Sequence, residues 1–241
     1  MQDKLTRDTF FNGRLTVKQD GVGYRFSIDS VLLANSIQPK PGDRVVDLGT
    51  GCGIVPLIVA YQYPETTLFG IEIQEDLAHI ARINIRDNGM AENIQIMCRD
   101  MQTVQPAMFQ GPVDIVVSNP PFRKAASGRI NPNRQRAIAR HEIRVTLLDV
   151  AKTASALLRT AGLFVVIYTS ERLADLIQHM RSCSLEPKCV RFIHSKQDSE
   201  SKLVMMTGTK QGKPGLKVGP PIVIYNPDGS YSKELESMFH V

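Results

Sequence analysis

A chain of 241 residues with 42% hydrophobic and 22% charged residues can bury one large core and is too short for two comfortable ones. No apolar run approaches the roughly 20 residues of a membrane-spanning helix, and the opening MQDKLTRDTF lacks the apolar stretch of a secretion signal. Cys52, Cys98, Cys183 and Cys189 show no metal-ligand spacing, so the expectation is a reduced, cytoplasmic protein, without a structural metal and monomeric. The net charge of +5 is modest, but its distribution is uneven. Between positions 123 and 144 the chain carries Arg123, Lys124, Arg129, Arg134, Arg136, Arg140 and Arg144 against one acid, Glu142. Such a run either attracts a polyanion or forms a solvated loop.

In chain order, GVGYRFSIDSVLLANSI implies a turn and a short helix from Ser27 or Asp29 onward. RVVDLG (44–49), TLFGIEI (67–73), IQIMC (94–98) and VDIVVSN (113–119) are short, apolar and rich in β-branched residues, and predict strands. Helical spacing falls between them at 54–61 and 75–88, the second ending at Gly89. A helix over 144–158, a strand over 162–168 and a helix over 171–180 follow. Strands at 188–194 and 202–209 are separated only by a polar stretch too short for a crossover helix, so they should pair antiparallel. KQGKPGLKVGPP reads as an irregular linker to a short hairpin near Asp228-Gly229 and a terminal helical turn. Continuous apolar strands alternating with helices predict a parallel sheet covered on both faces. The expected division is a segment 1–40 covering the site, a main domain 41–210 and an extension 211–241.

DLGTGCG, Asp47 to Gly53, sits where a strand gives way to a helix, and its glycines, Gly49 and Gly51 among them, allow a sharp turn and close approach of a ligand. Glu72 ends the next strand, placed to accept the ribose hydroxyls of an adenosine-containing cofactor. Asp100 and Met101 follow the third strand, where Asp100 can bond an adenine amino group and Met101 pack on the ring. Carboxyl ends of adjacent parallel strands converge on one crevice. Three acids there would repel a pyrophosphate and suit a sulfonium with an ammonium group, which favours S-adenosyl-L-methionine over a nicotinamide dinucleotide.

NPPF, Asn119 to Phe122, ends the fourth strand. An exocyclic amine on an aromatic ring is a poor nucleophile because its lone pair is delocalised. The Asn119 oxygen and the Pro120 carbonyl can accept its two hydrogens and favour a more tetrahedral nitrogen. Pro120 and Pro121 stiffen the turn, and Phe122 is placed to stack on the base.

With these motifs the chain resembles the class I Rossmann-like methyltransferases of the NPPF/NPPY type. More narrowly, it is similar to the bacterial family that N6-methylates the adenine beside the anticodon of a valine tRNA. The resemblance rests on GYRFSIDSVLLA, DLGTGCG, GIEIQ, SNPPF, ARHE and YNPDGSYSKEL. It implies an α/β fold with a mostly parallel seven-stranded sheet, an antiparallel last strand and helices on both faces. It further implies that Tyr24, Arg25, Ser27 and Asp29 cover the cofactor. Asp47, Gly49, Gly51, Glu72, Ile73, Asp100, Met101 and Asn119 would hold it, and Asn119 to Phe122 would receive the adenine. Arg123, Lys124, Arg134, Arg136 and Arg140 would bind the tRNA phosphates. The chain departs from relatives at SESKLVMMTGTK, where Lys202 stands alone in place of a basic pair.

Three alternatives remain at this stage: a protein glutamine N5-methyltransferase, an rRNA adenine or guanine N-methyltransferase, and a non-catalytic RNA-binding module. The first resembles NPPY rather than NPPF and carries a helical domain ahead of the glycine turn, whereas only about forty residues precede Asp47. His141 reads either as an RNA or pocket-edge contact or, in preference, as a helix-start residue, and Cys52 has no adjacent base to make it a nucleophile.

Overall fold

Apolar β-branched runs alternating with amphipathic ones produce a twisted sheet with helices on either side. The computed structural model describes residues 5–20, 28–120 and 145–239. Strands β1 (Leu5–Phe10) and β2 (Leu15–Asp20) form an antiparallel hairpin, followed by helix α1 (Ile28–Ala34). Then come β3 (Arg44–Leu48), α2 (Ile54–Gln62), β4 (Thr67–Glu72), α3 (Glu75–Asp87), β5 (Ile94–Cys98) and β6 (Val113–Ser118). The chain continues through α4 (Leu147–Leu157), β7 (Leu158–Thr169), α5 (Leu173–Ser182), β8 (Leu185–His194) and β9 (Ser201–Lys210). Two short strands, β10 (Lys217–Val218) and β11 (Ile222–Val223), and helix α6 (Lys233–Ser237) complete it.

The main sheet runs β10-β8-β9-β7-β6-β3-β4-β5, with β11 also on β8. Strands β3 to β7 are mutually parallel along this path, and β9 is antiparallel to both β7 and β8. The seven strands β3 to β9 make the Rossmann-like core, with β10 and β11 added at the β8 edge. Because β3 pairs with β4 on one side and β6 on the other, the connection reverses beside β3, opening a crevice at the strands' carboxyl ends.

Alternate strand residues feed two cores. Val45, Leu68, Ile96, Ile115 and Val117 pack under α1, α2 and α3, while Val46, Phe69, Ile71, Val116 and Phe164 pack under α4 and α5. Helix α4 begins at Leu147 rather than at the expected 144, because Thr146 and Asp149 form a reciprocal capping box. Strand β7 begins at Leu158, earlier than the expected 162, because a bulge between the Val113–Leu158 and Ile115–Leu163 pairs absorbs the extra residues.

The β1–β2 hairpin is a feature that periodicity did not announce. Its turn holds Phe11 and Asn12 at φ of 52° and 55°, with Gly13 at 84°. The edge of β2 is closed by two asparagines four residues apart, Asn84 on α3 and Asn88 at its C-terminal cap. Asn88 Oδ1 accepts from the Thr16 amide at 2.9 Å, and Asn84 Oδ1 from the Lys18 amide at 2.8 Å. Their Nδ2 groups return bonds to the Thr16 and Lys18 carbonyls. Two strand residues rise about 6.6 Å and four helix residues about 6 Å, so side-chain amides at this spacing imitate a neighbouring strand. Stacked rings also clamp the hairpin: Phe11 lies 4.5 Å from Tyr61 and Phe10 lies 5.6 Å from Phe239.

Candidate active site

The glycine turn is stitched to the strand beside it. Gly49 and Thr50 both donate to the Ile71 carbonyl, at 2.9 and 3.0 Å. Gly49, Gly51 and Gly53 have φ of 83°, 57° and 84°, a region a side chain disfavours. Gly70 in β4 is needed for a different reason. A Cβ there would lie 2.8 Å from Thr50 Cγ2 and 2.5 Å from Ile96 Cδ1, so the Thr50 side chain rests where only glycine leaves room.

Glu72 is buried and braces the turn: Oε2 accepts from the Gly51 amide and Oε1 from the Gln74 amide, each at 2.9 Å. Ile73 follows it, half-buried. Asp100 caps a single 3-10 turn (Met101–Thr103), its Oδ1 accepting from the Gln102 amide at 2.9 Å. The Met101 methyl lies 3.9 Å from where a Gly49 Cβ would stand, so β5's end meets the glycine turn directly.

Asp47 is 3% exposed, and its Oδ2 has no hydrogen-bond partner, nor has the Thr50 hydroxyl. Burial pushes the Asp47 carboxyl up to about 7, and the Glu72 carboxylate adds to it. A buried carboxyl with an idle oxygen invites a cationic partner. The residues therefore fit a cofactor with an ammonium group, on grounds of the unpartnered Asp47 oxygen beside a turn whose positive φ angles favour glycine. Cys52, in the same turn, is raised to about 12 by burial, and is inert as a nucleophile near neutrality.

Asn119 follows β6 on the other side of the crevice. Strand β6 is tied to β3 at this level, the buried Ser118 hydroxyl donating to the Leu48 carbonyl at 2.8 Å. The Asn119 Nδ2 donates to Ser30 Oγ of α1 at 3.2 Å. Its Oδ1 is out of solvent and has no partner. An idle buried acceptor costs about 1–3 kcal/mol, and such a cost concentrates where a ligand is to be received. Pro120 is buried beside it.

The structure thus brings Asp47, Gly49, Gly51, Glu72, Ile73, Asp100, Met101, Asn119 and Pro120 to the carboxyl ends of β6, β3, β4 and β5. Asp29 lies in the first turn of α1. Tyr24, Arg25, Ser27, Pro121, Phe122, Arg123, Lys124, Arg134, Arg136, Arg140 and His141 lie outside the described residues. Ser30 and Ser118 were not singled out from the sequence. Ser118 carries a faint signal, a polar residue ending an apolar strand just before NPPF; Ser30 carries none beyond its place in the SIDSVLLA run. Among the described residues no three His, Cys, Asp or Glu side chains are grouped as a metal site requires, and no helix is long and apolar enough to cross a membrane.

The family model described as "Methyltransferase small domain" matches residues 23–182. The chain belongs to this methyltransferase family. It is 33% identical over 207 residues to a tRNA1(Val) (adenine(37)-N6)-methyltransferase of Porphyromonas gingivalis, covering 83% of this chain and 80% of the relative. A Bacteroides thetaiotaomicron protein of the same name is 29% identical, covering 68% of each chain. Among solved structures, a predicted O-methyltransferase of Agrobacterium tumefaciens superposes with a TM-score of 0.70 at 19% identity, over 87% of this chain and 94% of that one. That likeness shows the Rossmann-like fold shared with methyltransferases. The matched stretch contains the glycine turn, the acidic strand ends and NPPF together.

Proposed function

We propose that this chain is an S-adenosyl-L-methionine-dependent enzyme that methylates N6 of an adenine in tRNA, at the position beside the anticodon of a valine tRNA. The observation that carries the reading is the unpartnered Asn119 Oδ1 at the end of β6, across the β3–β6 crevice from the unpartnered Asp47 Oδ2. The curated relatives bear the name of this reaction.

In this reading Asp47 faces the cofactor's ammonium group, Glu72 its ribose hydroxyls, and Asp100 with Met101 its adenine. When bound, the cofactor supplies an electrophilic methyl on a sulfonium and leaves as a neutral thioether. Asn119 Oδ1 and the Pro120 carbonyl accept the two hydrogens of the target amine, which localises its lone pair on nitrogen. Preorganised acceptors of this kind need no strong base, and the proton departs to solvent after transfer. Phe122 is assigned to stack on the base, and Arg123, Lys124, Arg134, Arg136 and Arg140 to hold phosphates. An adenine in a loop costs little to unstack, which suits an anticodon-loop substrate. Residues 1–40 are assigned to cover the cofactor.

Incubating the protein with unmodified valine tRNA transcript and labelled cofactor, followed by nucleoside mass spectrometry, tests this. N6-methyladenosine at one anticodon-loop position is expected; label on guanine, or on protein alone, would overturn it.

A further inference from the structure

A carboxamide is nearly symmetric in shape, so packing alone does not decide which end faces the crevice. With oxygen outward, Asn119 accepts an amine hydrogen; with nitrogen outward, it presents N–H to N–H and repels the same group. The decision falls to whatever holds the other end. Ser30 Oγ does so at 3.2 Å from Nδ2, across a separation of 89 residues. Ser30 is 4% exposed, in a helix that lies under the sheet on the α2 side. In this pair the Ser30 oxygen accepts from the amide nitrogen, and among the described residues no other group is bonded to either end of the Asn119 carboxamide.

We propose that Ser30 is a positioning residue for methyl transfer: its hydroxyl pins the Asn119 amide nitrogen and keeps Oδ1 turned to the substrate amine. The inference rests on the proposed adenine methylation. It also gives α1 a function, because this helix within the assigned covering segment then touches the substrate acceptor directly.

Threonine and valine at position 30 have the same shape and differ only in the hydroxyl, so comparing them cancels the packing change. Single-turnover transfer to unmodified tRNA, the dissociation constant for S-adenosylhomocysteine and the thermal midpoint are measured for Ser30→Thr and Ser30→Val. Valine is expected to be about tenfold slower than threonine, with cofactor dissociation constants within twofold, the loss of one hydrogen bond. Should neither β-branched variant fold, Ser30→Ala against wild type carries the same reading. Equal rates, or a loss in cofactor affinity that matches the loss in rate, would overturn the Ser30 role. Equal rates with N6-methyladenosine formed sink the Ser30 role alone. A threonine–valine gap with the methyl on another RNA atom sinks the adenine reading alone.

Discussion

Asn84 and Asn119 both place a carboxamide between segments far apart in the chain, yet they use it differently. Asn84 is 1% exposed; it accepts from the Lys18 amide and donates to the carbonyls of Lys18 and Cys52, joining the hairpin, α3 and the glycine turn. Asn119 uses only its nitrogen, on Ser30, and leaves its oxygen idle. A saturated amide rigidifies its surroundings, whereas a half-used one tolerates a cost until a partner arrives. The comparison separates a residue that builds the site from the one proposed to act in it.

The largest expected effect breaks that comparison at Asn119. Asn119→Ala should slow methyl transfer by about 10²–10³-fold, as removal of a preorganised hydrogen-bonding group does elsewhere, while the urea midpoint stays put. Rate and stability falling together would remove the distinction. Asn84→Ala should behave oppositely, losing roughly 2–3 kcal/mol in urea unfolding because it strands three backbone groups at once. An unchanged midpoint would show that water replaces the amide without cost.

Asp47 sharpens the comparison through pH. Unfolded, it loses its proton near the ordinary aspartate value; folded, burial holds the proton to about 7. Between those values the folded chain binds the extra proton, so ligand-free stability should fall as pH rises, by at most about 1.4 kcal/mol per pH unit. A cationic ligand beside Asp47 favours the ionised form, so the thermal shift produced by S-adenosylhomocysteine should grow from pH 5 to pH 8. Asp47→Asn should flatten both trends; a pH-independent shift in the parent protein would count against an ammonium beside Asp47. The smallest effect is expected for Ser118→Ala, about 1 kcal/mol of stability and a loss in transfer rate of less than tenfold, since β6 and β3 stay paired without the hydroxyl.

Much of this architecture was readable in advance. The apolar runs at 44–49, 67–73, 94–98 and 113–119 became β3, β4, β5 and β6 with ends within a residue, since buried parallel strands need such runs. The short polar link at 194–201 correctly implied the antiparallel β8–β9 pair. The β1–β2 hairpin was not legible, because LTRDTF and LTVKQD carry charges and their order comes from Asn84, Asn88, Tyr61 and Phe239. Likewise Glu72 was expected to face ribose hydroxyls, but its bracing of the Gly51 and Gln74 amides depends on a turn whose shape no spacing reports.

The sequence by itself determined the order of strands and helices and put a glycine turn, acids and NPPF at successive strand ends, because side-chain periodicity and backbone freedom are local properties. Only the tertiary structure decided which polar atoms find partners. Ser30 meets Asn119, and Asp47 Oδ2 meets no donor, through contacts between distant segments, and it is that pairing, not the residue types, that leaves two oxygens idle at one crevice.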